Sequence, residues 1–222
     1  MDDLRGKRFL ASYSGGKDSI LAIYRAINAG LEPMGLATAY KSDALYSWFH
    51  GMSEELLQSA SDSLAIPLTL IRTTGVEYNV NFEKAMTNAK NAGAEVCVFG
   101  DIDLEGHFAW CTERCESVGL LPYFPLKNED RKKVVYEFID AGFSAIIKIV
   151  DTTRLPEEFL GQTLTRDVVN DIEKHGADIC GENGEYHTFV FDGPLFSGKI
   201  PFAVKERLVM DKYAVLNIQS CV

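Results

Sequence analysis

The first 125 residues alternate short apolar runs with longer segments in which apolar residues recur every three to four positions. A short apolar run is typical of a strand buried on both faces, and the longer period indicates a helix with one buried face. Strands are predicted at residues 8–13, 33–40, 67–72 and 95–99, and helices at residues 17–29, 53–64 and 81–92. This alternation predicts an α/β fold with a Rossmann-like, doubly wound parallel sheet.

The pattern changes after the prolines at residues 122 and 125. A helix that ends near residue 141, a strand and a helix that opens at Thr165 are followed by three β-rich segments at residues 186–191, 203–210 and 213–218. We therefore expect two domains, residues 1–125 and a smaller α+β domain of residues 126–222.

A glycine turn joins the first predicted strand to the first helix, and we call it the phosphate loop: Ser14-Gly15-Gly16-Lys17-Asp18-Ser19. Amide groups at a helix N-terminus bind anions, glycines allow phosphate oxygens to approach the backbone, and Lys17 adds a full positive charge. The more common phosphate-binding motif requires Gly at position 11 and Ser or Thr at position 18, where this chain has Ala11 and Asp18. The hexamer instead resembles the PP-loop of the ATP pyrophosphatase superfamily, whose members cleave ATP between the α- and β-phosphates.

Ligands of doubly wound sheets bind beyond the carboxyl ends of the strands, so the loops there are candidates for nucleotide binding. Thr38 lies near the end of the second strand, and Gly100 and Asp101 follow the fourth, with His107 shortly after them. Asp101 could hold Mg²⁺ or bind a ribose hydroxyl. His50 follows the second strand and is either structural or part of a substrate site, and the neighbouring Trp48 and Phe49 offer flat surfaces for a base or an apolar substrate.

A second polar cluster surrounds an Asn-Gly pair, Asn183 and Gly184, which predicts a two-residue hairpin turn. The cluster also contains two acids and two aromatic or imidazole side chains, namely Glu182, Glu185, Tyr186 and His187. Two carboxylates with a histidine could position an amine or ammonia, or act as a general base.

Charge and composition narrow the classes of partner. The net charge of -10 disfavours nucleic acid, because an acidic surface repels its phosphates. ATP has the same sign of charge, so Mg²⁺ is expected to accompany it. The five cysteines contain no C-x-x-C pair and indicate reduced thiols. Without a long apolar run or an apolar start, the chain is expected to be cytoplasmic, with no membrane partner.

Three motifs in order resemble the diphthine-ammonia ligase family: the phosphate loop, Gly100-Asp101-Ile102, and residues 181–186 with Asp192-Gly193-Pro194-Leu195-Phe196. The resemblance implies an adenine-nucleotide α-hydrolase-like domain followed by a domain that closes the substrate cleft. In the family's reaction ATP adenylates the diphthine carboxylate of elongation factor 2, and ammonia then displaces AMP. It implies that the phosphate loop, Thr38, Gly100 and Asp101 bind the nucleotide, and that Glu182 and Glu185 face the acyl or ammonia side. It also implies a homodimer, and His50, Tyr186 and His187 are candidates for substrate binding.

Two positions depart from the family pattern, which more usually has Gly at Asn183 and an acid at His187. Replacing an acid with a histidine, which can be neutral, is expected to affect the specificity for the second substrate. Two alternatives remain open: a non-catalytic adenine-nucleotide sensor, and a PP-loop sulfur or nitrogen transferase that modifies tRNA.

Overall fold

The computed structural model describes residues 4–42, 46–47 and 50–221. The chain divides into two compact units. The first unit comprises Met1–Ser14, Asp18–Glu54 and Ala65–Glu129, and the second comprises Gly15–Lys17, Glu55–Leu64 and Asp130–Val222. The second unit thus includes two short segments from the N-terminal half of the chain, one of them inside the phosphate loop.

The first unit contains a parallel sheet. Its strands are β1 (Arg8–Ser12), β2 (Glu32–Lys41), β3 (Tyr46–Ser47), β4 (Leu68–Thr73), β5 (Val96–Val98) and β6 (Leu121–Tyr123). The parallel order is β4-β2-β1-β5-β6, and the short β3 pairs antiparallel with the end of β2. The predicted doubly wound α/β fold is confirmed, with β6 as a strand that the sequence pattern did not predict.

Helices connect these strands: α1 (Lys17–Asn28), α2 (Glu54–Leu64), α3 (Tyr78–Asn91) and α4 (Glu105–Val118), of which the first three confirm the predicted helices. Periodic apolar positions explain them, since Leu56, Leu57, Ala60 and Leu64 of α2 are buried at spacings of one helical turn. A buried cluster in the first unit joins β1, β2, β4 and β5 to α3 and α4 and includes the thiols of Cys97, Cys111 and Cys115. This packing explains the buried apolar residues in the middle of β1 and β2 and throughout β5.

Strand order reverses between β1 and β5, because β2 and β4 extend the sheet on one side of β1 while β5 and β6 extend it on the other. The turn after β1 and the loop after β5 therefore leave the sheet side by side. These are the phosphate loop and the segment that contains Gly100 and Asp101.

The second unit contains a four-stranded antiparallel sheet. Its strands are β7 (Ser144–Asp151), β8 (Tyr186–Asp192), β9 (Phe202–Met210) and β10 (Tyr213–Ser220), in the order β8-β7-β10-β9. Two helices, α5 (Arg131–Asp140) and α6 (Arg166–Lys174), begin at caps that the sequence encodes. The Asp130 carboxylate accepts from the Lys133 amide at 2.9 Å, and the Thr165 hydroxyl accepts from the Val168 amide at 3.3 Å.

Two irregularities interrupt the pairing of β7 with β8, one between Ser144 and Ala145 and the other at Lys148. Ile147 lies opposite Thr188 and Ile149 lies opposite His187, so Lys148 occupies a bulge between them. A bulge inserts one extra residue between two successive strand pairs and changes the direction of its side chain.

Candidate active site

The phosphate loop begins where β1 ends and closes on the first turn of α1. Gly15 has a φ of +82°, a left-handed conformation that favours glycine. The Ser14 hydroxyl and amide lie 3.2 Å and 3.4 Å from the Ser19 hydroxyl oxygen, so the two serines tie the two ends of the loop together. The sequence motif is therefore folded as the strand, glycine turn and helix N-terminus that anion binding requires.

Gly100 lies against the backbone of the phosphate loop. A Cβ atom at this position would lie 2.8 Å from the Asp18 carbonyl carbon and 2.8 Å from the Ser19 amide nitrogen. Only glycine allows the β5 loop to approach the start of α1 so closely. The structure thus brings together Gly100 and two residues of the phosphate loop, as the motif order predicted.

Gly100→Ala is expected to destabilise the protein by about 1–3 kcal/mol, because the new methyl group meets backbone atoms that cannot rotate away. Thermal and urea unfolding would measure the change. Gly106→Ala is the matched control, since nothing lies within 4 Å of its Cβ position and alanine favours helix α4. Equal stability of the two variants would contradict the close contact at Gly100.

A pocket of the first unit lies beside the loop. Its lining comprises Ser12, Tyr13, Ser14, Ala37, Thr38, Ala39, Ser47, Tyr78 and Phe82. The Thr38 hydroxyl donates to the Tyr13 carbonyl oxygen at 2.7 Å, which fixes the end of β2 to the end of β1. The Tyr13 hydroxyl is buried, has no hydrogen-bond partner within the described part of the chain, and has its pKa raised by burial. The pocket is therefore lined by both aromatic and hydroxyl-bearing side chains, which suit a ligand with a flat ring and polar groups.

Asp101 follows Gly100 and is held by helix α4. Its carboxylate lies 2.9 Å from Nδ1 of His107 and 3.9 Å from Sγ of Cys111. The carboxylate also contributes, after burial and Cys111, to raising the pKa of Tyr78 to about 12. The structure thus gives Asp101 a defined orientation after the carboxyl end of β5, with His107 as its hydrogen-bond partner.

The remaining candidate of the first unit is His50. His50 is half-buried and lies between β3 and α2. Its neighbours Trp48 and Phe49 lie outside the described residues. A substrate role for His50 stays a prediction.

The second unit holds the middle of the phosphate loop against β8. The Gly15 carbonyl oxygen accepts from the Val190 amide at 2.9 Å, and the Lys17 amide donates to the Thr188 hydroxyl at 3.1 Å. The Lys17 ammonium donates to the Cys180 carbonyl oxygen and lies 5.7 Å from the centre of the Tyr186 ring. Lys17 is only 4% exposed, so its charge acts in a medium that screens it weakly.

Thr188→Val is expected to weaken ATP binding about five- to tenfold, since the Lys17 amide loses its acceptor at nearly constant side-chain volume. Calorimetric titration with ATP measures the change. Thr152→Val, on an exposed hydroxyl of the same unit, is the control. Unchanged affinity in the Thr188 variant would show that this bond does not shape the loop for ATP.

The Asn-Gly prediction was wrong in one respect. Residues 181–184 form a tight turn in which the Gly184 amide donates to the Gly181 carbonyl oxygen at 3.0 Å. The turn leads into β8 and does not join two paired strands, because β8 pairs with the distant β7. Asp178 organises the turn instead: its carboxylate accepts from the Glu182 amide and from Arg131, both at 2.7 Å.

Glu185 is buried at the end of this turn. Its carboxylate accepts from the Asn183 amide at 3.1 Å and the Asn183 side chain at 3.2 Å, and it pairs with Arg154 at 3.4 Å. The Tyr186 hydroxyl donates to the Ile179 carbonyl oxygen at 2.6 Å. Asn183 thus serves as a donor to Glu185, a role that glycine could fill only with its backbone.

His187 lies within the electrostatic reach of three charged side chains. Burial lowers its pKa to about 4, the positive charges of Lys17 and Lys148 lower it too, and Glu185 acts in the opposite direction. The imidazole is therefore neutral at physiological pH and presents one donor and one acceptor. Burial alone lowers the pKa of Lys148 to about 8.

The candidate residues thus fall into two groups, one in each unit. In the first unit they are Ser14, Asp18, Ser19, Thr38, His50, Gly100 and Asp101, and in the second they are Gly15, Gly16, Lys17, Glu182, Glu185, Tyr186 and His187. Sequence reasoning missed Arg154, Asp178 and Lys148. A lysine inside the apolar run of residues 145–150 was the one signal that could have singled out the last of them.

Family models match nearly the whole chain. The diphthamide synthase N-terminal domain matches residues 7–122, and the diphthamide synthase C-terminal domain matches residues 130–222. The chain belongs to the diphthamide synthase family. The family resemblance predicted from the three motifs is therefore confirmed.

Curated relatives extend the similarity. The diphthine-ammonia ligase of Danio rerio is 26% identical over 91% of this chain and 89% of its own length. The diphthine-ammonia ligase of Homo sapiens is 27% identical over 87% of this chain and 82% of its own length. A solved structure, a predicted subunit of tRNA methyltransferase from Methanocaldococcus jannaschii, has a TM-score of 0.45 at 13% identity. It covers 82% of this chain and 96% of that one, and a similarity this low has no bearing on function. Among the described residues no helix is long and apolar enough to cross a membrane.

Proposed function

We propose that this protein is an ATP-dependent, AMP-forming amide ligase that adenylates a carboxylate and transfers ammonia to it. The observation that carries the proposal is the phosphate loop at the strand-order reversal of a chain that both diphthamide synthase domains match. Its relatives are named diphthine-ammonia ligases, which makes the diphthine carboxylate of elongation factor 2 the first acyl substrate to test.

ATP would bind at the carboxyl edge of the parallel sheet. The amides of residues 14–19 and the N-terminus of α1 would hold its phosphates, with Lys17 as the fixed positive charge. The pocket beside Thr38 and Tyr13 would receive the nucleoside, since its aromatic walls and hydroxyl groups suit a base and a ribose. In this proposal residues 1–125 form the ATP-binding domain and residues 126–222 the substrate-binding domain.

Mg²⁺ fits the site as a companion of ATP. The described residues contain no group of three or more candidate metal ligands, and Mg²⁺ commonly uses one or two carboxylates together with phosphate oxygens and water. Asp101 is the carboxylate in the right position, because it follows Gly100 at the carboxyl end of β5. Bound there, Mg²⁺ would neutralise phosphate charge that the acidic chain otherwise repels.

The chemistry has two steps. A carboxylate oxygen of the substrate forms a bond to the α-phosphorus, and the bond between that phosphorus and the bridging oxygen breaks to release pyrophosphate. Ammonia then attacks the acyl carbon, AMP leaves with the electrons of the acyl carbon–oxygen bond, and one proton is lost. Lys17 would stabilise the charge that develops on the departing phosphates, and Glu182 and Glu185 would orient ammonia or receive the proton.

The proposal is tested by product analysis with α-labelled ATP. The protein would be incubated with Mg²⁺, ammonium and a panel of carboxylates that includes diphthine-bearing elongation factor 2. We expect AMP and pyrophosphate in amounts that depend on the carboxylate. ADP as the product would contradict cleavage between the α- and β-phosphates, and ATP that binds tightly without turnover would favour the nucleotide sensor.

A further inference from the structure

Lys148 is a buried lysine that the proposed reaction does not yet use. It lies in the middle of β7 and is 3% exposed, whereas lysine side chains almost always reach solvent. Burying an ammonium is costly unless the position has a use for its charge. Its pKa of about 8 still leaves the group largely protonated at neutral pH.

The strand pairing connects Lys148 to the phosphate loop. Lys148 occupies the bulge between the residues opposite Thr188 and His187. Thr188 in turn accepts the hydrogen bond from the Lys17 amide, and the Gly15 carbonyl accepts from Val190 two residues further along β8. Within this unit the middle of the loop therefore contacts β8, and β8 pairs with the bulged part of β7.

Electrostatics indicates that the two lysines act on one region. Lys17 and Lys148 are both buried, and the positive charges of both lower the pKa of His187 on β8. Glu185 opposes them, but its carboxylate already binds Asn183 and Arg154. Two ammonium groups around a neutral imidazole form a site for a polyanion, in a chain whose net charge is -10.

We propose that Lys148 is a second phosphate-binding residue, which with Lys17 holds the β- and γ-phosphates of ATP and the pyrophosphate that leaves. This inference rests on the proposed function, because it assigns the leaving group of that reaction to these two side chains. As the bond to the α-phosphorus breaks, its electrons pass to the bridging oxygen of pyrophosphate. Lys148 would stabilise this added charge, where weak solvent screening strengthens the effect.

Calorimetric titration with inorganic pyrophosphate, ATP and adenosine tests the assignment on the full-length protein. Lys148→Met is expected to weaken pyrophosphate and ATP binding at least tenfold and to leave adenosine binding unchanged. Lys148→Arg, which keeps the charge, is expected to stay within about threefold of the wild type. Lys205→Met removes an exposed lysine of the same unit and controls for net charge.

Two results would overturn the assignment: pyrophosphate binding to Lys148→Met as tight as to the wild type, or an equal loss of adenosine binding. Should Lys148→Met fail to fold, the pH dependence of ATP binding tests the assignment instead. Between about pH 7.5 and 9.5 Lys148 loses its proton, so wild-type affinity should fall several-fold while that of Lys148→Arg stays level.

Other titratable groups on the surrounding elements do not mimic this change. They are Lys17 in the loop, Glu185 just before β8, His187 in β8, Asp151 in β7 and Lys212 before β10. A change in ATP affinity caused by the titration of any of these groups would appear equally in the arginine variant. A parallel fall in both proteins would therefore refute the role of Lys148. Failure of the proposed function is seen separately, as wild-type protein that binds pyrophosphate through Lys148 but forms no AMP.

Discussion

Lys17→Ala is expected to lower the rate of AMP formation by about 10²-fold or more. Lys17 provides a buried positive charge within the phosphate loop, and loss of one positioned electrostatic donor costs a factor of this size. The rate of AMP release from α-labelled ATP, with saturating carboxylate and ammonium, measures the effect. The loss should exceed that of any surface substitution, because the Lys17 ammonium is buried and donates to the Cys180 carbonyl oxygen, while the Lys17 amide donates to the Thr188 hydroxyl.

Two controls distinguish the loss of the Lys17 charge from a change in the structure of the phosphate loop. Lys205→Ala removes an exposed lysine of the same unit and should leave the rate within about twofold of the wild type. Thermal unfolding of Lys17→Ala, compared with the wild type, shows whether β8 still holds the loop. A correctly folded Lys17→Ala protein with a wild-type rate would show that this loop is not the catalytic phosphate site.

Glu185→Gln is expected to spare ATP binding and to lower amide formation about 10- to 10²-fold. The substitution keeps the shape of the side chain but removes the negative charge that can orient ammonia or accept a proton. Glutamine also places donor hydrogens where Glu185 now accepts from Asn183, which adds strain to the turn. ATP affinity and the yield of amide product, measured on the same sample, are the two readouts.

Glu158→Gln, on an exposed side chain of the same unit, is the matched control and should change neither readout. An equal loss of ATP affinity and product in Glu185→Gln would place this carboxylate in the nucleotide site. Normal product formation would remove it from the reaction altogether.

Much of the first unit could be predicted from its sequence, because strands covered on both faces are short and apolar. The bounds of β1, β2, β4 and β5 and of the helices between them lie within one residue of their predicted positions, except that α3 begins three residues earlier than predicted. The strand β6 was missed since it has three residues, one of them Pro122, and so little apolar pattern. Its existence depends on pairing with β5, which is a tertiary contact.

The second unit was predicted less completely for the same physical reason. The sequence identified the acids and the histidine around the turn at residues 181–184, but it could not show that Asp178 and Arg154 hold them. The predicted hairpin at this turn was also wrong, since an Asn-Gly pair favours tight turns of several kinds and not only those that join two paired strands. Lys148 received no role in the sequence analysis, because only the register of β7 with β8 places it beside His187.

The central claim is that the reaction passes through an acyl adenylate, and isotope exchange tests it most directly. Labelled pyrophosphate, unlabelled ATP, Mg²⁺ and the acyl substrate would be incubated with the protein while ammonium is left out. Because adenylation is reversible, the account predicts that label enters ATP only when the carboxylate is present, and that Lys17→Ala slows the exchange by about 10²-fold or more. No entry of label with the carboxylate present, or equal entry without it, would contradict the acyl adenylate.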